Sequence, residues 1–149
     1  VIAESIDILR HALDRNDPEG WLSRDDTDLI ATNDGQFKHD LDRYKYPDRH
    51  DSDPHHHREA GMAFLRRLDA RLAENPNLCD ARRGLADAAI MPFVRQFAGV
   101  DRDWFDAQPI PHVHAWLERH LASPLFAQIM LRVPQWQPDQ EPVPFGKNR

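Results

Sequence analysis

A chain of 149 residues, 40% hydrophobic and 30% charged, has the size and make-up of one globular domain. Its net charge of −6 argues against a phosphate-binding face and hence against nucleic acid, and no window nears the ~18 consecutive apolar residues of a membrane span. The single cysteine, Cys79, excludes an internal disulfide framework and suits a reducing compartment such as the cytoplasm.

Val1 is not an initiator methionine, and Val1-Ile2-Ala3-Glu4-Ser5 runs straight into a helical pattern. A natural domain start normally has a flexible lead-in, so the sequence is expected to be a fragment whose N-terminal part is missing. Ile6, Leu9 and Leu13 make the first apolar stripe, which Asn16-Asp17-Pro18-Glu19-Gly20 ends with turn formers. A long helical segment is expected from about Ser23, where Ser23 and Asp26 have the spacing of a capping box. Its buried stripe is Ile30, Phe37, Leu41 and Tyr44, with polar Asn33 on the same face. Gly35 is a weak point that could bend it, and Pro47 closes it.

Asp53-Pro54 reads as an N-cap followed by proline at the first helical position. The helix it opens places Gly61, Phe64, Leu65, Leu68 and Leu72 on one face, and Asn75-Pro76-Asn77 stops it. Leu85 to Phe97 is apolar nearly all round and belongs at the centre of the domain. Val113, Trp116, Leu117 and Leu121 form another stripe, with His120 on the same face. Ser123-Pro124 caps a last short helix bearing Phe126, Ile129 and Met130. No stretch shows convincing strand alternation and nothing repeats. The expected architecture is all-α, a bundle of five to six helices.

From Pro134 onward Pro134, Pro138, Pro142 and Pro144 alternate with polar residues, the pattern of an extended tail. Trp136 and Phe145 leave two readings open: a mobile tail, or one that packs its aromatics back across the domain.

Three groups invite a chemical role. His50, Asp51, Asp53, His55, His56 and His57 could bind a transition metal, but consecutive histidines on a helix point in different directions. The tract is therefore read as a solvated turn, and no metal site is assigned. Cys79 has no CxxC partner and reads as a semi-buried thiol. Asn33, Phe37, Tyr44 and Trp136 could line an apolar substrate cleft, although aromatics at helical spacing are more often core.

Ile2-Ala3-Glu4-Ser5-Ile6-Asp7-Ile8 resembles the stretch that ends the thioredoxin-like domain of glutathione transferases. Gly84-Leu85-Ala86-Asp87-Ala88-Ala89-Ile90 resembles the N-terminal box of that family's central helix, usually Ser or Thr, two residues, then Asp. The runs from Phe37 to Pro47 and from Pro92 to Phe97 are similar to a bacterial branch of the superfamily. The resemblance implies three parts: residues 1–16 as the last helix of a missing thioredoxin-like domain, 17–133 as the helical C-terminal domain, and 134–149 as a Pro-rich tail.

For the parent protein it implies conjugation, or thiol exchange, between glutathione as co-substrate and a small electrophilic or disulfide substrate. No tightly bound cofactor is expected, and a homodimer is the expected assembly. The family's catalytic Tyr, Ser or Cys lies in the thioredoxin-like domain, so no catalytic residue and no activity are expected of this chain alone. Glu4 and Ser5 correspond to the family's contacts to the γ-glutamyl end of glutathione. Chemically the pair suits that role, because a helix N-terminus attracts a carboxylate, yet it could equally be a plain helix cap. Asp87 reads as a structural cap reaching back to the Gly84 N–H, with glycine in the place of the family's Ser or Thr. Two other classes fit the same residues, a non-catalytic protein-interaction module and a metal-binding helical protein.

Overall fold

The computed structural model describes residues 4–141, and every regular element among them is helical. α1 (Ser5–Arg15) precedes a 3-10 turn, Trp21–Arg24. The next long segment is three pieces: α2 (Thr27–Thr32), a π turn (Asn33–Phe37) and α3 (Lys38–Lys45). Then follow α4 (Pro47–His50), α5 (Pro54–Leu72), α6 (Leu85–Ala98), α7 (Arg102–Asp106), α8 (Pro111–Leu121) and α9 (Pro124–Ile129). No helix among the described residues is long and apolar enough to cross a membrane.

The start of α2 corrects the expected helix at Ser23. Ser23 lies in the 3-10 turn, where its hydroxyl donates to the Gly20 carbonyl at 2.8 Å. Asp26 is the N-cap instead and accepts from the Leu29 N–H at 2.9 Å. The cause is Arg24, which is buried and donates from Nε to the Arg83 carbonyl at 3.0 Å. A side chain drawn inward there holds the preceding turn out of the helix. The π turn contains Gly35, and Asn33 and Phe37 at its two ends are both buried. Such a turn re-phases a helix by one residue.

Proline opens α4, α5, α8 and α9 at the first turn, where its missing N–H costs nothing. Asp53 caps α5 by accepting from the His55 N–H, and Ser123 caps α9 by accepting from the Phe126 N–H. The cap of α8 comes from a distant residue. Asp69 on α5 accepts from the N–H groups of His112 and Val113 at 2.8 and 3.0 Å, which fastens the two helices end to side. α7 escapes a periodicity reading because five residues are too few, and its Asp101 cap is the sole local signal.

α6 is the axis of the bundle, with Leu85, Ala86, Ile90, Val94 and Phe97 all closed off from solvent. Phe37 of the π turn stacks at 4.8 Å from Phe64 and 5.4 Å from Phe97, and Tyr44 lies 5.1 Å from Phe97. Fully burying such a side chain contributes roughly 1.5–3 kcal/mol, so this cluster joins α3, α5 and α6 strongly. α1 has no fully buried residue. It docks through half-buried Ile6, Leu9 and Leu13 and an Arg10–Asp25 ion pair at 3.0 Å, while Ile8 faces solvent.

Residues 131–141 are exposed and carry no helix. Trp136 is 68% exposed, so the reading in which the tail packs this ring back onto the domain is not the observed one. Phe145 lies outside the described residues.

Candidate functional site

At the start of α1 the backbone of Glu4 is extended and its carbonyl accepts from the N–H groups of Asp7 and Ile8 at 3.1 and 3.2 Å. The Glu4 side chain makes no capping hydrogen bond, and both Glu4 and Ser5 are exposed. A carboxylate and a hydroxyl therefore stand free at the positive end of a helix dipole, a position suited to a zwitterionic ligand.

The four residues considered for a substrate cleft do not converge. Asn33 and Phe37 are buried to 0% and 1% exposure, Tyr44 is buried beside them, and Trp136 is exposed on the tail. Phe37 and Tyr44 are core because the π turn rotates them toward Phe97. Two polar atoms in this layer, Asn33 Oδ1 and the Tyr44 hydroxyl, are buried without a hydrogen-bond partner. Burial pushes the Tyr44 hydroxyl above its usual range, with the Asp101 charge adding to it against Arg58, so it stays a neutral phenol.

Asp87 is fully buried and satisfies three N–H donors at once. Its Oδ2 accepts from the Gly84 N–H at 3.0 Å, and its Oδ1 accepts from the Leu78 N–H at 3.0 Å and the Trp116 indole at 2.8 Å. These donors belong to the start of α6, the loop before it and α8. His120 stands 3.8 Å from Oδ1, and its Nε2 is 3.2 Å from Asn77 Oδ1. Burial drives the His120 pKa down to about 4, more than the Asp87 charge can restore, so the imidazole is neutral near neutral pH.

Cys79 sits in the same loop with its Sγ 3.4 Å from the Arg24 carbonyl. Burial, with Asp87 adding to it, pushes the thiol above its usual range and leaves a poor nucleophile. Elsewhere a surface cleft of about 550 Å3 is lined by Lys45, Arg95 and Arg102 over Leu117 and Leu121. Sequence reasoning missed it because its cations come from three helices.

The histidine tract also divides. His57 reaches α3, where its Nδ1 lies 2.7 Å from Asp40 Oδ1, and the adjacent His39 Nδ1 lies 3.5 Å from the same oxygen. Burial opposes the charge on Asp40, but hydrogen bonds from Gln36, His57 and His39 outweigh it and hold the carboxyl below its usual range. A tract read along one helix could not reveal partners on another.

Helices wrapped on a central apolar one, whose entry is held by a carboxylate three residues in, define a helical-domain architecture into which an exposed Glu-Ser pair leads. The family model for the glutathione S-transferase C-terminal domain matches residues 2–119. The chain belongs to that family. No curated protein and no solved structure matches it.

Proposed function

We propose that this chain is the helical half of a glutathione transferase that joins glutathione to a small electrophile, or exchanges it with a disulfide, in the cytoplasm. In this reading α1 is the closing helix of a thioredoxin-like unit that supplies the nucleophile-activating residue, and two copies pair as a homodimer. The observation that carries it is the free Glu4-Ser5 pair at the start of α1 in a chain of this family. Glu4 would take the ligand's ammonium group, while Ser5 and the helix dipole would take its carboxylate. The half-buried Cys79, whose thiol is pushed above its usual range, is assigned no part in the chemistry.

Calorimetric titration of the full-length gene product with glutathione tests the reading. Ser5→Ala is expected to raise the dissociation constant about tenfold, equivalent to ~1.4 kcal/mol, as suits the loss of one charge-assisted hydrogen bond. A product that binds no glutathione, or a variant that binds it as tightly as the parent, overturns the proposal.

A further inference from the structure

We propose that His39, Asp40 and His57 form a binding site for a divalent transition metal, best matched to zinc, that links α3 to α5. The inference is independent of glutathione and of the Glu4-Ser5 pair.

Each of the three residues offers one ligand atom, and all three atoms lie within 4.8 Å of one another. Zinc binds imidazole nitrogen and carboxylate oxygen at about 2.0–2.2 Å, which sets tetrahedral ligand atoms roughly 3.4 Å apart. The 3.5 Å between His39 Nδ1 and Asp40 Oδ1 already meets that spacing. The 2.7 Å between His57 Nδ1 and Asp40 Oδ1 is a hydrogen bond, with a proton occupying the gap. Metal capture therefore displaces that proton from Nδ1, leaving a neutral imidazole protonated on Nε2 and passing any excess proton to water, and it opens the pair by less than an ångström, within the reach of side-chain rotation.

The donor set selects the ion class. Two imidazoles disfavour calcium and magnesium, which take oxygen ligands, and the lack of a thiolate in the set disfavours copper(I). The surroundings suit a held ligand sphere. The second carboxylate oxygen of Asp40 accepts from Gln36 Nε2 at 2.9 Å, an outer partner of the kind that orients metal ligands. The Asp40 side chain is 4% exposed and that of His57 is 15% exposed, so the fold encloses both, whereas His39 is 47% exposed and gives the ion a path from solvent. Three protein ligands leave a coordination position for water. His55 and His56 lie outside the three-residue cluster, and the His56 ring meets His57 edge-on at 5.2 Å between centroids rather than offering it a shared ion, so neither is assigned as a ligand.

The test is calorimetric titration of untagged, chelator-stripped protein with zinc chloride, with cobalt(II) absorption as a second readout of tetrahedral coordination. One equivalent is expected to bind. His39→Ala should weaken binding by at least about tenfold while its circular dichroism stays that of the parent, since the ring is half exposed. Gln36→Ala should weaken it by about tenfold through the outer partner alone. The double variant His55→Ala, His56→Ala should bind as the parent does. The proposal is overturned by the absence of stoichiometric zinc binding, by parental affinity in His39→Ala, or by loss of binding in the His55, His56 double variant.

Discussion

Asp87 and Asp40 are both buried aspartates on helices that pack on one another, yet their surroundings differ in kind. Asp87 is held by two backbone N–H groups and an indole, donors that the fold itself positions and that have no other partner to turn to. Asp40 is held by Gln36, His57 and His39, side chains that can rotate, and one of them opens to solvent. A carboxylate satisfied by fixed donors fastens the chain. One satisfied by imidazoles holds a proton that can be exchanged. On the proposed metal site, burial alone does not separate the folding aspartate from the binding one; the kind of donor around each does.

The largest expected effect tests the closed side. Asp87→Ala strands three buried donors, each worth ~1–3 kcal/mol when left unsatisfied, and should destabilise the domain by about 4 kcal/mol. Denaturant unfolding measures it through the midpoint at constant slope. A loss of only ~1 kcal/mol, the usual cost of a helix cap, would mean that Leu78 and Trp116 do not depend on this carboxylate, and the contrast with Asp40 would fail.

The difference between those two estimates marks what the sequence made legible. The Gly84–Asp87 pair is local, three residues apart, and could be read as half a capping box. Leu78 and Trp116 stand nine and 29 residues away, and nothing in their spacing announces a shared acceptor. The stripes of α5, α6 and α8 were likewise legible because burial on one face imposes a helical period on the sequence. The π turn was not, since Gly35 advertises a bend without saying that it adds a residue to the turn. Tyr44 and Phe37 drew attention as aromatics, whereas their actual neighbours are decided by that extra residue. His57 was visible only as one of a run, and its partners lie 17 and 18 positions upstream on α3.

Gly84 gives a second way to break the comparison. The family's usual Ser or Thr at this position would add a side-chain cap, so local rules expect Gly84→Ser to gain a few tenths of a kcal/mol. Its surroundings reverse the sign. A Cβ placed on Gly84 would collide with Arg24 Cβ and lie 2.8 Å from the Arg24 carbonyl oxygen, and a backbone oxygen cannot rotate aside. Gly84→Ser should therefore lose ~1–3 kcal/mol, the cost of overpacking. Chemical denaturation again reads it, and a stabilised variant would show that the wall around Asp87 yields.

Gly35 is the counterpart on the open side and carries the smallest effect. It sits in the π turn one residue before Gln36, whose amide holds Asp40. A Cβ placed there meets nothing within 4 Å. Its φ is not in the left-handed region, so alanine can take the same backbone without strain. Alanine also removes conformational freedom from the unfolded chain, which favours folding. Gly35→Ala should accordingly gain ~0.5–1 kcal/mol, raising the thermal midpoint by about 1–4 °C. The gain requires that the π turn persist, because an α-helical register would move Gln36 away from Asp40 and rotate Phe37 out of its aromatic cluster. A fall in the midpoint would mean that glycine is what permits the turn. The Asp40 side would then be as tightly constrained as the Asp87 side, through its backbone rather than through its neighbours.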